Sequence, residues 1–216
     1  MNAAGVSAVL LAAGESRRMG AANKLSLDIL GVPLLRRAAL TLLGARLGEI
    51  LVVLGHEAHF ARSLIADLPL RAVENPHYRE GQMTSVHCGL QTLEGSSAGV
   101  MVCLCDQPLL ESTDLDLLIR TFLTECARSV LVPTYEGQRG NPVILPDVVR
   151  AAIVAGDRTL GGGRPVETYS DLVVPLEMPN DHCVFDLDTP EDYEDLQWRL
   201  SRAPIRSGAE TGLGER

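Results

Sequence analysis

Val6-Ser7-Ala8-Val9-Leu10 runs directly into Leu11-Ala12-Ala13-Gly14-Glu15-Ser16-Arg17-Arg18-Met19-Gly20, and Lys24 follows. An apolar run that stops at a glycine-containing, doubly basic turn reads as a strand leading into an anion-binding loop. Gly14 and Gly20 tolerate φ > 0, which lets backbone N–H groups point at one spot. Arg17, Arg18 and Lys24 add cationic side chains in the same stretch. Converging amides and fixed cations suit a nucleoside triphosphate, whose phosphates carry about four negative charges.

Two familiar phosphate loops do not fit. The Walker A pattern ends in Gly-Lys-Ser/Thr, a triplet this chain lacks. The dinucleotide fingerprint needs three closely spaced glycines, but after Gly14 the next is Gly20. A dinucleotide-dependent oxidoreductase is therefore disfavoured. Gly14 alone would be an ordinary first-strand turn; the whole set favours phosphate binding.

A chain of 216 residues with 46% hydrophobic content suits one α/β domain with a substantial core. The net charge of −9 argues against a nucleic-acid partner. It also means that cations for a triphosphate must be concentrated at residues 17, 18 and 24. No apolar run is long enough to span a membrane. Residues 6–13 are too short for a signal-peptide core, and no basic segment precedes them. Cys88, Cys103, Cys105, Cys126 and Cys183 form no CxxC pair, so they read as reduced thiols of a cytoplasmic protein. Cys103 and Cys105 would share one strand face, as core residues.

Apolar strands are expected at 6–10, 49–54, 70–74, 99–105, 129–134 and 171–177. Helices are expected at 33–40, 56–67, 83–93, 112–127 (with Ser112 as N-cap), 146–155 and 190–200. Gly140-Asn141-Pro142-Val143-Ile144 reads as an antiparallel return. The alternation predicts a Rossmann-like, doubly wound, mainly parallel sheet with helices on both faces. One domain over residues 1–201 is expected, with a disordered Gly- and charge-rich tail at 202–216. Ligands of such sheets bind beyond the carboxyl ends of the strands. That rule selects the 12–24 loop, the loop after Leu54 and the loop at Asp106.

Asp106, in Cys105-Asp106-Gln107-Pro108, is poised at a strand end to hold Mg²⁺, which prefers oxygen ligands. Asp186 and Asp188 stand two apart and face one way on an extended stretch, just before Thr189-Pro190 opens the last helix. Two carboxylates from distant segments would largely neutralise the ion and leave positions for phosphate oxygens. His56 and His59 mimic a metal pair, but a solvated helix face explains them better.

Five motifs occur in one order: LAAGESRRMG with Lys24; Asn75-Pro76 leading to Gly81-Gln82-Met83-Thr84-Ser85-Val86 and Gly89-Leu90; Asp106-Gln107-Pro108; Gly140-Asn141-Pro142-Val143; and Asp186-Leu187-Asp188-Thr189-Pro190-Glu191-Asp192. The ordered set, over residues 6–200, resembles the molybdenum cofactor cytidylyltransferase branch of the molybdenum-nucleotidyltransferase family. The resemblance implies CMP transfer from CTP, or another nucleoside triphosphate, to the terminal phosphate of molybdenum-molybdopterin, with release of pyrophosphate. It implies that Arg18, Lys24 and Asp106 are catalytic, with Arg18 and Lys24 on the triphosphate, and that Asp106 and Asp188 bind Mg²⁺. Leu11, Ala12, Ala13 and Gly14 would lie along the nucleotide; Gly81, Met83 and Ser85 would border base and ribose. A molybdenum hydroxylase apoenzyme is an implied partner.

One stretch departs from the family pattern. Where relatives carry Gly-Asp-x-Gly-Ala-Arg, this chain has Gly156-Asp157-Arg158-Thr159-Leu160-Gly161-Gly162-Gly163-Arg164, near the expected acceptor position. Two rivals follow: a guanylyl or other nucleotidyltransferase with a different phosphorylated acceptor, and a non-catalytic cofactor chaperone. Retention of Arg18, Lys24, Asp106 and Asp188 together favours catalysis.

Overall fold

The computed structural model describes residues 5–15, 23–156 and 165–202. Arg17, Arg18, the 157–164 glycine-rich stretch and the tail from 203 lie outside the described residues.

The chain builds β1 (Val6–Ala12), a 3-10 turn (Lys24–Ser26), the hairpin β2 (Asp28–Ile29) and β3 (Val32–Pro33), and α1 (Leu34–Leu43). It continues through β4 (Ile50–Leu54), α2 (Ala58–Ser63), β5 (Arg71–Glu74), α3 (Gln82–Thr92), β6 (Gly99–Leu104) and α4 (Ser112–Glu125). Then come β7 (Val130–Tyr135), β8 (Gln138–Arg139), β9 (Val143–Pro146), α5 (Asp147–Val154), α6 (Pro165–Thr168), β10 (Val173–Glu177) and α7 (Pro190–Arg202). The main sheet runs β10-β7-β9-β6-β1-β4-β5, with β8 paired to β7. β1 is parallel to both β4 and β6, β4 to β5, and β7 to β10; β9 runs antiparallel between β6 and β7, and the short β8 antiparallel to β7.

This is the mainly parallel α/β sheet the alternation predicts. All seven residues of β1 are buried, because helices cover both faces. Its side chains divide by the two-residue strand period. Val6, Ala8, Leu10 and Ala12 face α1 and α4, where Leu115, Leu118, Ile119 and Phe122 form an i, i+3, i+4, i+7 stripe. Val9 and Leu11 face α3 and α5 through Val86, Leu90, Val149 and Ile153. Gly89 lets α3 lie close on the sheet, since a methyl there would run into Val9. Cys103 and Cys105 are core residues on the first of these faces, and burial pushes both thiols up.

Chain order fixes where the cleft opens. From β1 the chain steps outward to β4 and β5, then returns to the other side of β1 with β6. The direction of winding therefore switches between β1 and β6, and a crevice opens beyond their carboxyl ends. β9 begins at that edge, because Val143 pairs with Val102 near the end of β6.

Local boundaries differ from the sequence reading in three places. The second helix is confined to Ala58–Ser63 and begins after Glu57, which adopts φ 49°. Pro33 precedes α1 as its N-cap and belongs to β3. Ser112 is not the cap of α4: Glu111 is, in a reciprocal capping box with Asp114, while the Ser112 hydroxyl donates to the Thr41 carbonyl. A carboxylate accepts from the first-turn N–H groups more strongly than a hydroxyl, and Ser112 has a partner elsewhere.

Candidate active site

Three segments meet at the crevice, each held by its own local chemistry. Lys24 opens the 3-10 turn that Asn23 caps, the Asn23 Oδ1 accepting from Leu25 N at 2.9 Å. Asp106 leaves the sheet just past β6. The Leu187 N–H donates to the Asp106 carbonyl at 2.8 Å, and Leu187 is fully buried, so the last segment is pinned beside the first acid. The Asp192 carboxylate accepts from the N–H groups of Asp188 and Thr189, while Thr189 Oγ1 accepts from Asp192 N. That reciprocal cap, with Pro190 at the first helical position, fixes the backbone that carries Asp188.

The result is a charge cluster. The Lys24 ammonium donates to Asp106 Oδ2 at 3.0 Å and to Asp188 Oδ1 at 2.9 Å. Lys24 is only 8% exposed. Burial favours its neutral form, but Asp106 and Asp188 outweigh that and hold its pKa above the ordinary lysine value. The other Asp106 oxygen, Oδ1, is buried without a hydrogen-bond partner. Asp186 stands on the same rim; burial, then the charges of Asp106 and Asp188, push its carboxyl up to about 6. Among the described residues, no group of three or more His, Cys, Asp or Glu side chains converges on one metal-sized position. His56 and His59 form no such site either.

These groups border a cavity of about 590 Å³. Of the residues singled out from sequence, Leu11, Ala12, Ala13, Gly14, Lys24, Met83, Ser85, Asp106 and Asp188 all line it. Gly81 does not: it is the exposed N-cap of α3, with φ 122°, and turns the chain into the helix that carries Met83 and Ser85. Arg18 lies outside the described residues. The Ser85 hydroxyl is oriented by Asn75 Nδ2 at 3.0 Å, which also donates to Thr84 Oγ1 at 2.9 Å. Thus the Asn75-Pro76 turn serves as a strut for α3.

The sequence reading gave no site role to Tyr78, Asn141, Val143 or Val166; Gln82, within the 81–85 segment expected beside base and ribose, and Asp186, paired with Asp188 in the sequence reading, also line the cavity. Asn141 had a signal, since it stands in the quoted Gly140-Asn141-Pro142-Val143 motif; the antiparallel sense of β9 places it on the rim. Asn141 N donates to the Cys183 carbonyl at 2.9 Å, and Gln107 Nε2 donates to the same oxygen at 2.8 Å. A partly buried pair supports this corner from behind: His182 Nδ1 lies 2.8 Å from Asp114 Oδ2, and Asn180 Nδ2 donates to Asp114 Oδ1 at 3.0 Å.

An ammonium between two carboxylates is a net negative cluster, so the 590 Å³ cleft beside it would take an anionic ligand only together with further positive charge. Among the described residues no helix is long and apolar enough to cross a membrane.

Comparison with known proteins gives the same picture. The chain is 30% identical to a nicotine blue oxidoreductase of Paenarthrobacter nicotinovorans, covering 70% of this chain and 78% of that one. It is 28% identical to a probable molybdenum cofactor guanylyltransferase of Natronomonas pharaonis, covering 89% and 97%. It is 39% identical to a bifunctional IPC transferase and DIPP synthase of Rubrobacter xylanophilus; the match covers 95% of this chain but 46% of that longer protein. A solved nucleotidyl transferase from Methanothermobacter superposes with a TM-score of 0.75 at 19% identity, over 93% of this chain and 99% of that one. The model of the MobA-like NTP transferase domain matches residues 8–172. The chain belongs to the MobA-like NTP transferase domain family, and its fold is of nucleotidyltransferase type.

Proposed function

We propose that the protein transfers a nucleoside monophosphate, CMP from CTP, to the terminal phosphate of a molybdopterin-type acceptor and releases pyrophosphate. The observation that carries the reading is Lys24 between Asp106 and Asp188 at the mouth of the nucleoside-sized cleft. An acceptor phosphate oxygen attacks the α-phosphorus, and the bond to the bridging oxygen of the leaving pyrophosphate breaks. The acceptor is already ionised at neutral pH, so no strong general base is required. The barrier lies in bringing two anions together and holding charge on the leaving group.

A divalent cation, Mg²⁺ in this reading, would supply charge neutralisation and an in-line template on the phosphates. The donor set fits it: Asp106 and Asp188 present hard oxygens from two segments, and Asp106 Oδ1 is a buried acceptor with no other partner. Two acids do not complete an octahedron, which suits an ion that arrives with phosphate oxygens and water. Lys24 and Arg18 bind the triphosphate. Leu11, Ala12, Ala13 and Gly14 bring the backbone close to the nucleotide, and Met83 and Ser85 border base and ribose. Asp186, Asn141 and Val166, which also line the cleft, are left to meet the acceptor in this reading.

A second reading has a specific observation behind it. Relatives named molybdenum cofactor guanylyltransferase support GTP as donor. Ala13 supports CTP, because its methyl lines the cleft and reduces room for a purine. The relative named an oxidoreductase supplies a rival of another class. One assay separates all three: pyrophosphate release with CTP and with GTP, using purified molybdenum cofactor and no added reductant. Release with CTP supports the reading, preferential release with GTP replaces it by the guanylyl one, and none with either removes both.

A further inference from the structure

Lys24 stands where an ion shared by Asp106 and Asp188 would have to stand. Its ammonium is 3.0 Å from one carboxylate and 2.9 Å from the other. Its side chain is 11% exposed, against 28% and 29% for the two acids, so the lysine is the most buried side chain of the three. A positive charge in that place does what a bound metal does for the protein. It offsets part of the repulsion between two carboxylates at short range, and it fixes their orientation. A divalent ion that takes both acids must therefore displace the ammonium, and no third acidic, histidine or cysteine ligand among the described residues compensates for that displacement. The triphosphate is the group that gives the displaced ammonium a new partner.

We infer that Lys24 is an exchangeable internal cation. In the free protein it holds Asp106 and Asp188 ready and keeps divalent ions out. When a triphosphate arrives the ammonium moves to the phosphates and releases both carboxylates to the ion. This rests on the metal and triphosphate reading given above, and it adds an order to it: metal does not load alone, and nucleotide and metal promote each other's binding by the same factor, as linkage requires. The arrangement prevents the acids from being occupied by a metal without its nucleotide. It also explains why the lysine is buried beside the acids instead of extended into the cleft. Once the ammonium has left, the two acids and Asp186 face one another uncompensated, so the exchanged state is stable only with metal in place.

The test uses Mn²⁺ alone as probe, with no nucleotide, and the electron paramagnetic resonance signal of free Mn²⁺ as readout on the full chain. Lys24→Met keeps the stem and removes the charge; Lys24→Arg keeps the charge. We expect Lys24→Met to bind Mn²⁺ roughly tenfold or more tightly than the unmodified protein. Lys24→Arg should stay weak, and the gain should vanish in Lys24→Met/Asp106→Asn. Thermal melting in EDTA should show Lys24→Met below the unmodified protein, with millimolar Mn²⁺ restoring it. Should Lys24→Met fail to fold, Lys24→Gln, which retains an amide donor, takes its place. Equal Mn²⁺ affinity in the unmodified and charge-free proteins overturns the exchange. If Asp106→Asn still abolishes metal-dependent pyrophosphate release in that case, the metal reading stands and only the exchange falls. A gain that persists in the double variant places the ion elsewhere, and both fall.

Discussion

The methyl group of Ala13 occupies the space a side chain on Gly55 would need. A Cβ built on Gly55 would lie 2.8 Å from the Ala13 Cβ and 2.7 Å from the Tyr78 Cβ. The ends of β1 and β4 can approach this closely because one of the two positions is a glycine, and Tyr78 closes the corner above them. Ala13 is 7% exposed, so its methyl is part of the cleft wall and not a projection into open space. In the cytidylyl reading proposed above, the choice of base depends on how firmly that wall is packed.

We therefore expect CTP to be used better than GTP, by a factor of roughly ten to two hundred if one methyl-sized contact dominates. Ala13→Gly should narrow the gap. It removes the methyl and relaxes the packing with Gly55 and Tyr78, so the stability should fall slightly at the same time. Measuring kcat/KM for both nucleotides with one acceptor, in both proteins, checks this. Equal use by the unmodified protein removes the cytidylyl assignment.

Asp106→Asn should separate chemistry from architecture. The bond that fastens Leu187 uses the Asp106 backbone carbonyl, which the substitution leaves in place. The amide oxygen can still accept from Lys24, so folding should be nearly unaffected. A neutral ligand holds a divalent ion poorly, and loss of that charge stabilisation should lower kcat by about a hundredfold or more. Near-normal turnover at saturating Mg²⁺ would dismiss Asp106 as a metal ligand.

The His182–Asp114 pair gives a pH signature of stability away from the charge cluster. The bond to Asp114 raises the His182 pKa above 6.5 against the opposing effect of burial. Burial raises the Asp114 carboxyl, but His182, Asn180 and the Glu111 N–H overcome it and hold the pKa below 3.8. A raised histidine contributes fully below its unfolded value and loses that contribution as pH rises through the folded value. A depressed carboxyl contributes above its unfolded value and loses it as pH falls through the folded one. The pair is thus worth most between about pH 4 and 6.5. His182→Gln should cost about 1–2 kcal/mol there, near 2–4 °C in Tm for each kcal/mol, and less at alkaline pH. Parallel melting curves of the two proteins across this range provide the check; a constant difference would remove the ionic part of the interaction.

Gly89→Ala should destabilise despite the better helix propensity of alanine. The new methyl would press on Val9 and lie 3.0 Å from Val53 Cγ2, both fully buried in the sheet. Overpacking of this kind costs about 1–3 kcal/mol, more than the propensity gain of about 1 kcal/mol. Chemical denaturation measures the difference, and unchanged stability would mean α3 can move off the sheet freely.

Much of the fold was legible because parallel strands buried on both faces must be continuously apolar. The runs ending at Leu54 and Cys105 declared themselves that way. Asp106 was legible as an acid at the end of such a run. Asp188 was legible as an acid beside a helix cap that needed only Thr189 and Pro190. The bridge through Lys24 was not, since a local pattern does not reveal that residues 24, 106 and 188 meet. Tyr78 was missed because it sits at a turn with no periodic signal. Gly81 was overread: it turns the chain into α3 and leaves the cavity wall to its neighbours. Asn141 depended on the reversed direction of β9, which makes the beginning of that strand, instead of its end, face the cleft.

The short backbone bond from Leu187 to Asp106 also sets a timetable. During synthesis the sheet from β1 through β6 can pair as soon as residue 104 has emerged, and Lys24 has emerged well before it. The second carboxylate reaches Lys24 only after the segment ending at Asp188 has docked. A nascent or C-terminally shortened chain therefore has the ends of β1 and β6 and the lysine, but one acid of the bridge too few. The charge cluster around Lys24 is thus closed last, when the segment ahead of the final helix settles beside Asp106.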